Sequence, residues 1–137
     1  MRQPKLQTIL YVEDDADIAQ VAEIALVNLG GFHLCSCLSG REAIHKAEST
    51  KADLLLLDVM MPGMDGRATL TELRKLDVCA KTPVIFMTAK LQEEDLLQYR
   101  ELGAIGVLAK PFDAMKLAQK VRELWQEYHQ KLGLVEY

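Results

Sequence analysis

Five polar residues stand where apolar runs stop. Glu13 and Asp14 follow Thr8-Ile9-Leu10-Tyr11-Val12, and Asp58 follows Leu54-Leu55-Leu56-Leu57. Thr88 follows Val84-Ile85-Phe86-Met87, and Lys110 comes just after Ile105-Gly106-Val107-Leu108. Carboxylates that face one another repel unless a cation joins them. Mg²⁺ suits such a place, because it takes a few carboxylates together with waters and phosphate oxygens. The charges of Glu13, Asp14, Asp58, Lys110 and one divalent ion sum to zero. A site so composed can receive a phosphoryl group: the metal and Lys110 neutralise its oxygens and the Thr88 hydroxyl hydrogen-bonds another. Asp58 is the natural nucleophile, since a carboxylate can form an acyl phosphate. Each residue alone has an ordinary explanation. Asp15 and Asp17 read as helix-capping acids, and an isolated Asp or Lys-Pro reads as a turn. The joint placement at the ends of apolar runs is what that explanation does not cover.

The elements that must position these residues follow from the hydrophobic pattern. The four runs above, with Phe32-His33-Leu34-Cys35-Ser36 as a fifth and least clear candidate, are apolar on both faces. Parallel strands covered by helices have that composition. Between them lie helical patterns. Ile18, Val21, Ala22, Ala25, Leu26 and Leu29 recur at helical spacing up to Gly30-Gly31. Ser39 is placed to cap a helix over 40–49. Ala68, Leu70, Leu73 and Leu76 mark a third helix after the loop Pro62-Gly63-Met64-Asp65-Gly66, and 91–101 a fourth, stopped near Gly103. Asp113 is placed to cap the last, with Leu117, Val121, Leu124, Trp125 and Tyr128 along one face. The order is (βα)₅, a doubly wound α/β fold whose right-handed crossovers put helices on both faces of a parallel sheet. Ligands of such sheets bind beyond the carboxyl ends of the strands, where the five polar residues fall.

Bulk properties agree with one domain over 1–137, its core about 6–130. The chain has 137 residues, 50% hydrophobic and 26% charged, with a formal net charge of −4. That suits a globular chain able to bury its own core. Charges of both signs are interspersed, with no basic patch for direct nucleic-acid binding. The cysteines Cys35, Cys37 and Cys79 lack metal-ligand spacing and read as reduced thiols, with Cys35 and Cys37 pointing the same way from a strand. The start, MRQPKLQ, has no apolar region of a signal peptide, and no run is long enough to span a bilayer. The expected location is therefore cytoplasmic, away from membranes. The tail Leu134-Val135-Glu136-Tyr137 reads as a frayed end or the start of a linker. His33, His45 and His129 read as surface or half-buried structural residues.

At these residues the sequence resembles a response-regulator receiver domain of two-component signalling, over about 6–130. The motifs are Val12-Glu13-Asp14-Asp15, then Leu57-Asp58-Val59-Met60-Met61-Pro62-Gly63-Met64-Asp65-Gly66, then Met87-Thr88-Ala89-Lys90, and Lys110-Pro111-Phe112. The resemblance implies a flavodoxin-like sheet of order 2-1-3-4-5. It implies that Asp58 is the phosphoacceptor, taking its phosphoryl group from a phosphohistidine. The partner would be a sensor histidine kinase or a histidine phosphotransfer protein. Glu13, Asp14, Asp58 and the backbone carbonyl of Met60 would hold Mg²⁺, or another divalent ion such as Mn²⁺. Thr88 and Lys110 would contact the phosphoryl group, and the backbone amides of Val59 and Ala89 would bind its other oxygens. The module would not be an enzyme beyond its own aspartyl phosphorylation and dephosphorylation. Helix 4, strand 5 and helix 5 would form the surface that signals to a downstream effector.

Two positions depart from the family pattern. Strand 5 carries Val107 where an aromatic residue is usual, which puts the family's aromatic switch in question. Ala104-Ile105-Gly106 replaces the acidic pair of the DNA-binding subfamily. A nucleotide- or flavin-binding domain would need a glycine- or hydroxyl-rich loop after strand 1, where this chain has acids. A haloacid-dehalogenase-like phosphatase would need a second carboxylate where Met60 stands. A histidine phosphotransfer module would be a helical bundle. A degenerate receiver, acting as a phosphorylation-independent interaction module, would be expected to lack part of the site. Three further expectations are specific. The Lys110–Pro111 bond is expected to be cis. Tyr99 or Trp125, if exposed, would mark the partner face. Met60 and Lys90, which border the approach of water to an acyl phosphate, are expected to slow its hydrolysis.

Overall fold

The computed structural model describes residues 5–133. Its strands are β1 (Thr8–Val12), β2 (His33–Cys37), β3 (Leu54–Asp58), β4 (Val84–Thr88) and β5 (Ala104–Ala109). All pair in parallel, in the order β2-β1-β3-β4-β5. The helices are α1 (Ala16–Glu23), α2 (Gly40–Thr50), α3 (Gly66–Leu73), α4 (Glu93–Glu101) and α5 (Leu117–Lys131). The expected (βα)₅ order and the 2-1-3-4-5 sheet are both present.

Alternation along the strands divides the interior in two. Ile9, Tyr11, Leu54, Leu56, Ile85, Met87 and Leu108 meet α1 and α5. Leu10, Val12, Leu55, Leu57, Val84 and Phe86 meet α2, α3 and Tyr99 of α4. β3 and β4 are buried over their whole length, which is why their sequences carry no polar alternation. Gly106 in β5 has a packing reason: a Cβ there would lie 2.5 Å from Leu124 of α5, so the glycine lets that helix come close.

Several boundaries differ from the periodic reading. Helix α1 gives way to a π-helical stretch, Ile24–Leu29. Its wider turn rotates the apolar face, so Ala25 and Leu26 stay buried while Val21 and Leu29 turn to solvent. Strand β2 begins at His33, one residue later than expected, and Phe32 instead packs under the guanidinium of Arg122. Leu76 lies beyond α3, before a short 3₁₀ turn at Asp77–Cys79. Asp113 does not cap α5. Its Oδ1 accepts the Met115 N–H at 2.9 Å, making a turn that ends before the helix begins. His129 is fully buried, its Nδ1 2.9 Å from the Trp125 carbonyl, whereas His33 and His45 are exposed as expected.

The predicted caps hold at Asp15 and Ser39. Asp15 accepts the N–H groups of Asp17 and Ile18, and Ser39 accepts that of Glu42 while Glu42 reaches back to Leu38. Cys35 and Cys37 point the same way as free thiols, Sγ to Sγ 3.9 Å. The Lys110–Pro111 peptide is cis. The tail 134–137 and residues 1–4 lie outside the described residues.

Candidate phosphoryl and metal site

The two-fold alternation continues past the strands and sorts the site. Glu13 follows Tyr11, Asp58 follows Leu56 and Lys110 follows Leu108, so all three belong to the α1/α5 face. Thr88 follows Phe86 and belongs to the other. The register Val12↔Leu57 sets Glu13 beside Asp58 at the carboxyl rim of the sheet. Lys110 Nζ lies 2.6 Å from Glu13 Oε1 and 3.3 Å from Asp58 Oδ1. Glu13 and Asp58 are each 1% exposed, and Asp14 stands at the open side.

Electrostatics follow from that burial. Removal from water pushes the Glu13 carboxyl up to about 7, against the lowering effect of its bonds to Lys110 and to the Asp15 N–H. Burial alone would lower the Lys110 ammonium, but its hydrogen bond to Glu13 and the charge of Asp58 outweigh this and leave it raised. Beneath the carboxylates lies Tyr11, fully buried. Its phenol is pushed above the ordinary range by burial and then by the charges of Glu13, Asp58 and Asp15. The sequence reading took Tyr11 only as a strand residue, and its hydroxyl is the feature that reading missed.

Each expected residue can now be placed. One carboxylate oxygen from each of Glu13, Asp14 and Asp58 lies within 4.8 Å of the others. Asp58 Oδ2 is buried with no hydrogen-bond partner among the described residues, an arrangement that a cation or an incoming phosphorus atom would relieve. This donor set, all oxygen and negatively charged, fits a hard divalent ion.

The backbone amides need a correction. The Val59 N–H is spent on the Met87 carbonyl at 3.0 Å, within the β3–β4 pairing, and so is turned away from the site. The Met60 N–H instead points at Asp58 Oδ1, at 3.3 Å. Thr88 is buried, and its Oγ1 accepts the Lys90 N–H at 3.0 Å, which leaves its proton free to donate. The loop after Asp58 returns on itself, with the Gly66 N–H donating to the Val59 carbonyl at 3.1 Å. A Cβ at Gly66 would lie 2.3 Å from the Asp58 carbonyl oxygen, so only glycine permits this approach. Asp65 then caps α3 through the Ala68 N–H.

Comparison with known proteins gives the same answer over the same residues. The response regulator receiver domain model matches 9–122. The chain is 37% identical to the probable transcriptional regulator ycf29 of Porphyra purpurea, over 85% of this chain and 55% of that protein. It is 36% identical to the transcriptional regulatory protein CpxR of Klebsiella pneumoniae, over 90% of this chain and 51% of that one. It thus spans about half the length of these two curated relatives. Among solved structures, chemotaxis protein CheY4 of Vibrio cholerae superposes with a TM-score of 0.80 at 28% identity, covering 88% of this chain and 99% of that one. No expected side chain of the site is missing, and the degenerate reading finds no support. The chain belongs to the response regulator receiver domain family, the phosphoryl-accepting modules of two-component signalling.

Proposed function

We propose that Asp58 is the phosphoacceptor and that Glu13, Asp14, Thr88 and Lys110 serve it. The observation that carries this reading is Asp58 itself. One of its oxygens is held by Lys110 and the Met60 N–H, and the other is buried and unengaged. In the transfer, an Asp58 oxygen forms a bond to phosphorus as the phosphorus–nitrogen bond of a phosphohistidine breaks. The departing imidazole nitrogen keeps the electron pair. Lys110 and the Thr88 hydroxyl hold the phosphoryl oxygens, with the Met60 amide beside them and the Ala89 amide as a further donor. Glu13, Asp14, Asp58 and the Met60 carbonyl would hold Mg²⁺ or Mn²⁺, which when bound supplies positive charge against those oxygens. On this reading the domain catalyses only its own aspartyl phosphorylation and dephosphorylation.

The phosphodonor is a histidine kinase or a histidine phosphotransfer protein. Beside Lys110 a shallow hollow of about 270 Å³ is lined by Ile18, Val21, Pro111 and Phe112, apolar enough to seat a partner helix. The effector surface is α4, β5 and α5, where a groove of about 700 Å³ runs past Leu96, Arg100, Val107 and Tyr128. Residues 1–137 act as one domain in the cytoplasm, with no contact of their own to nucleic acid. Among the described residues no helix is long and apolar enough to cross a membrane.

The test uses acetyl phosphate with Mg²⁺. Intact-mass spectrometry should show one phosphoryl group on the wild type and none on Asp58→Asn. A phosphate localised to a histidine or serine would overturn the assignment.

A further inference from the structure

Helix α4 is the most polar of the five helices. Among its residues only Tyr99 is fully buried, at 2% exposed, and Glu93, Glu94, Leu97, Gln98, Arg100 and Glu101 all face solvent. The docking of α4 on the sheet therefore rests on Tyr99, with only half-buried Leu96 packed beside it on the same cluster. The Tyr99 side chain reaches toward the site. The Tyr99 ring packs on Phe86 of β4, centroids 5.5 Å apart, with Val107 of β5 against the same cluster. Its hydroxyl donates to the Lys90 carbonyl at 3.4 Å. The N–H of the same residue, Lys90, donates to Thr88 Oγ1 at 3.0 Å. One backbone residue is thus held on one side by the hydroxyl of the site and on the other by the phenol of the helix.

We infer that Tyr99 is the positioning residue through which α4 and the Thr88–Lys90 loop sense one another. The inference rests on the proposal that Thr88 meets a phosphoryl group at Asp58. When Thr88 turns its hydroxyl toward that group, its acceptor lone pairs turn with it and the Lys90 N–H must follow. The peptide groups on either side of Lys90 share its Cα, so its carbonyl is displaced as well. The bond from Tyr99 is long for O–H···O, hence weak and readily remade. The phenol is therefore the first contact of α4 to change, while the ring keeps its stacking on Phe86. A two-state element biased at one end by charge is the form such a switch takes. Coupling of this kind is reciprocal, so Tyr99 must also influence the loop.

Beryllofluoride with Mg²⁺, a stable phosphoryl analogue, allows the test on the full chain by amide exchange. Tyr99→Phe keeps the ring and removes only the hydroxyl, and Arg67→Ala loosens α4 from outside by removing the 2.9 Å bond from Arg67 to Gln98. In the wild type the analogue should change exchange around Val59–Met61 and along 90–101. Tyr99→Phe should keep the first change and lose at least half of the second, and Arg67→Ala should keep both. Adding Tyr99→Phe to Thr88→Ala should alter the α4 response no further. An undiminished α4 response in Tyr99→Phe would overturn the assignment. So would equal losses in Tyr99→Phe and Arg67→Ala, since any loosening of α4 would then suffice. No change around Val59–Met61 in the wild type would instead strike at the phosphoryl-acceptor reading, and with it everything built upon it.

Discussion

The two faces of the sheet end in different chemistry. On the α1/α5 side the strands run out into buried Glu13 and Asp58 and half-buried Lys110, whose ion pair with Glu13 is 2.6 Å long. On the opposite side they run out into Thr88, backed by Phe86 and Tyr99, with no buried charge among the described residues. One side stores electrostatic tension that an ion or a phosphoryl group relieves. The other stores little and is held by packing. On the reading proposed above, the division suits a module that reacts on one side and moves on the other.

Their difference can be broken by experiment. The largest effect is expected from Phe86→Ala, which should cost about 4 kcal/mol through the cavity it leaves. Urea unfolding should show this loss unchanged by millimolar Mg²⁺, because the charged face is untouched. Lys110→Ala should cost about 3 kcal/mol, since it strands two buried carboxylates. Here Mg²⁺ should restore most of the loss by binding the native state. Equal Mg²⁺ responses in the two variants would erase the distinction between the faces.

A smaller effect concerns pH. Glu13 titrates near 7 in the fold against 4.5 in the open chain, so the native state holds a proton that the unfolded state has released. In metal-free protein, stability from this group is complete below pH 4.5 and lost as pH rises through 7. Lys110 is raised from a value already near 10.5 and does not enter this window. Denaturation of metal-free protein from pH 5 to 8 should follow this slope, and Glu13→Gln should flatten it. Mg²⁺ affinity should rise over the same interval. The smallest effect lies at the rim, where Met60 and Lys90 border one hollow. Met60→Asn with Lys90→Glu should speed loss of the phosphoryl group about tenfold, or ~1.4 kcal/mol in the barrier. Equal or slower decay would show that these side chains do not limit the approach of water.

What the sequence made legible follows the same division. Strands buried on both faces leave unbroken apolar runs, and the groups that end them are few and chemically distinctive, so Asp58 and Lys110 stand out through their joint placement with Glu13, Asp14 and Thr88. The less legible features leave no side-chain pattern. The π-helical stretch is a change of backbone hydrogen bonding within apolar residues. That the Met60 amide and not that of Val59 faces Asp58 depends on which N–H the neighbouring strand consumes. Tyr99 was expected, if exposed, to mark a partner face, yet it is buried. In so polar a helix, periodicity gives no warning that one aromatic anchors the rest. His129, too, is buried because its ring stacks on Trp125 at 4.2 Å, a local pairing that composition does not reveal.

The closed loop between Asp58 and Gly66 bears on how such a chain can diverge over generations. Its ends are pinned by the bond from the Gly66 N–H to the Val59 carbonyl, and the Pro62-Gly63 tip lies outside in solvent. Once the ends of a loop are fixed, lengthening it costs only about 0.6 kcal/mol per doubling. Drift at the tip therefore leaves Asp58 where it is, while any side chain at 66 would strike backbone. Descendants of this sequence are free to rewrite the rim, and with it the partners they answer to, while inheriting the reaction intact.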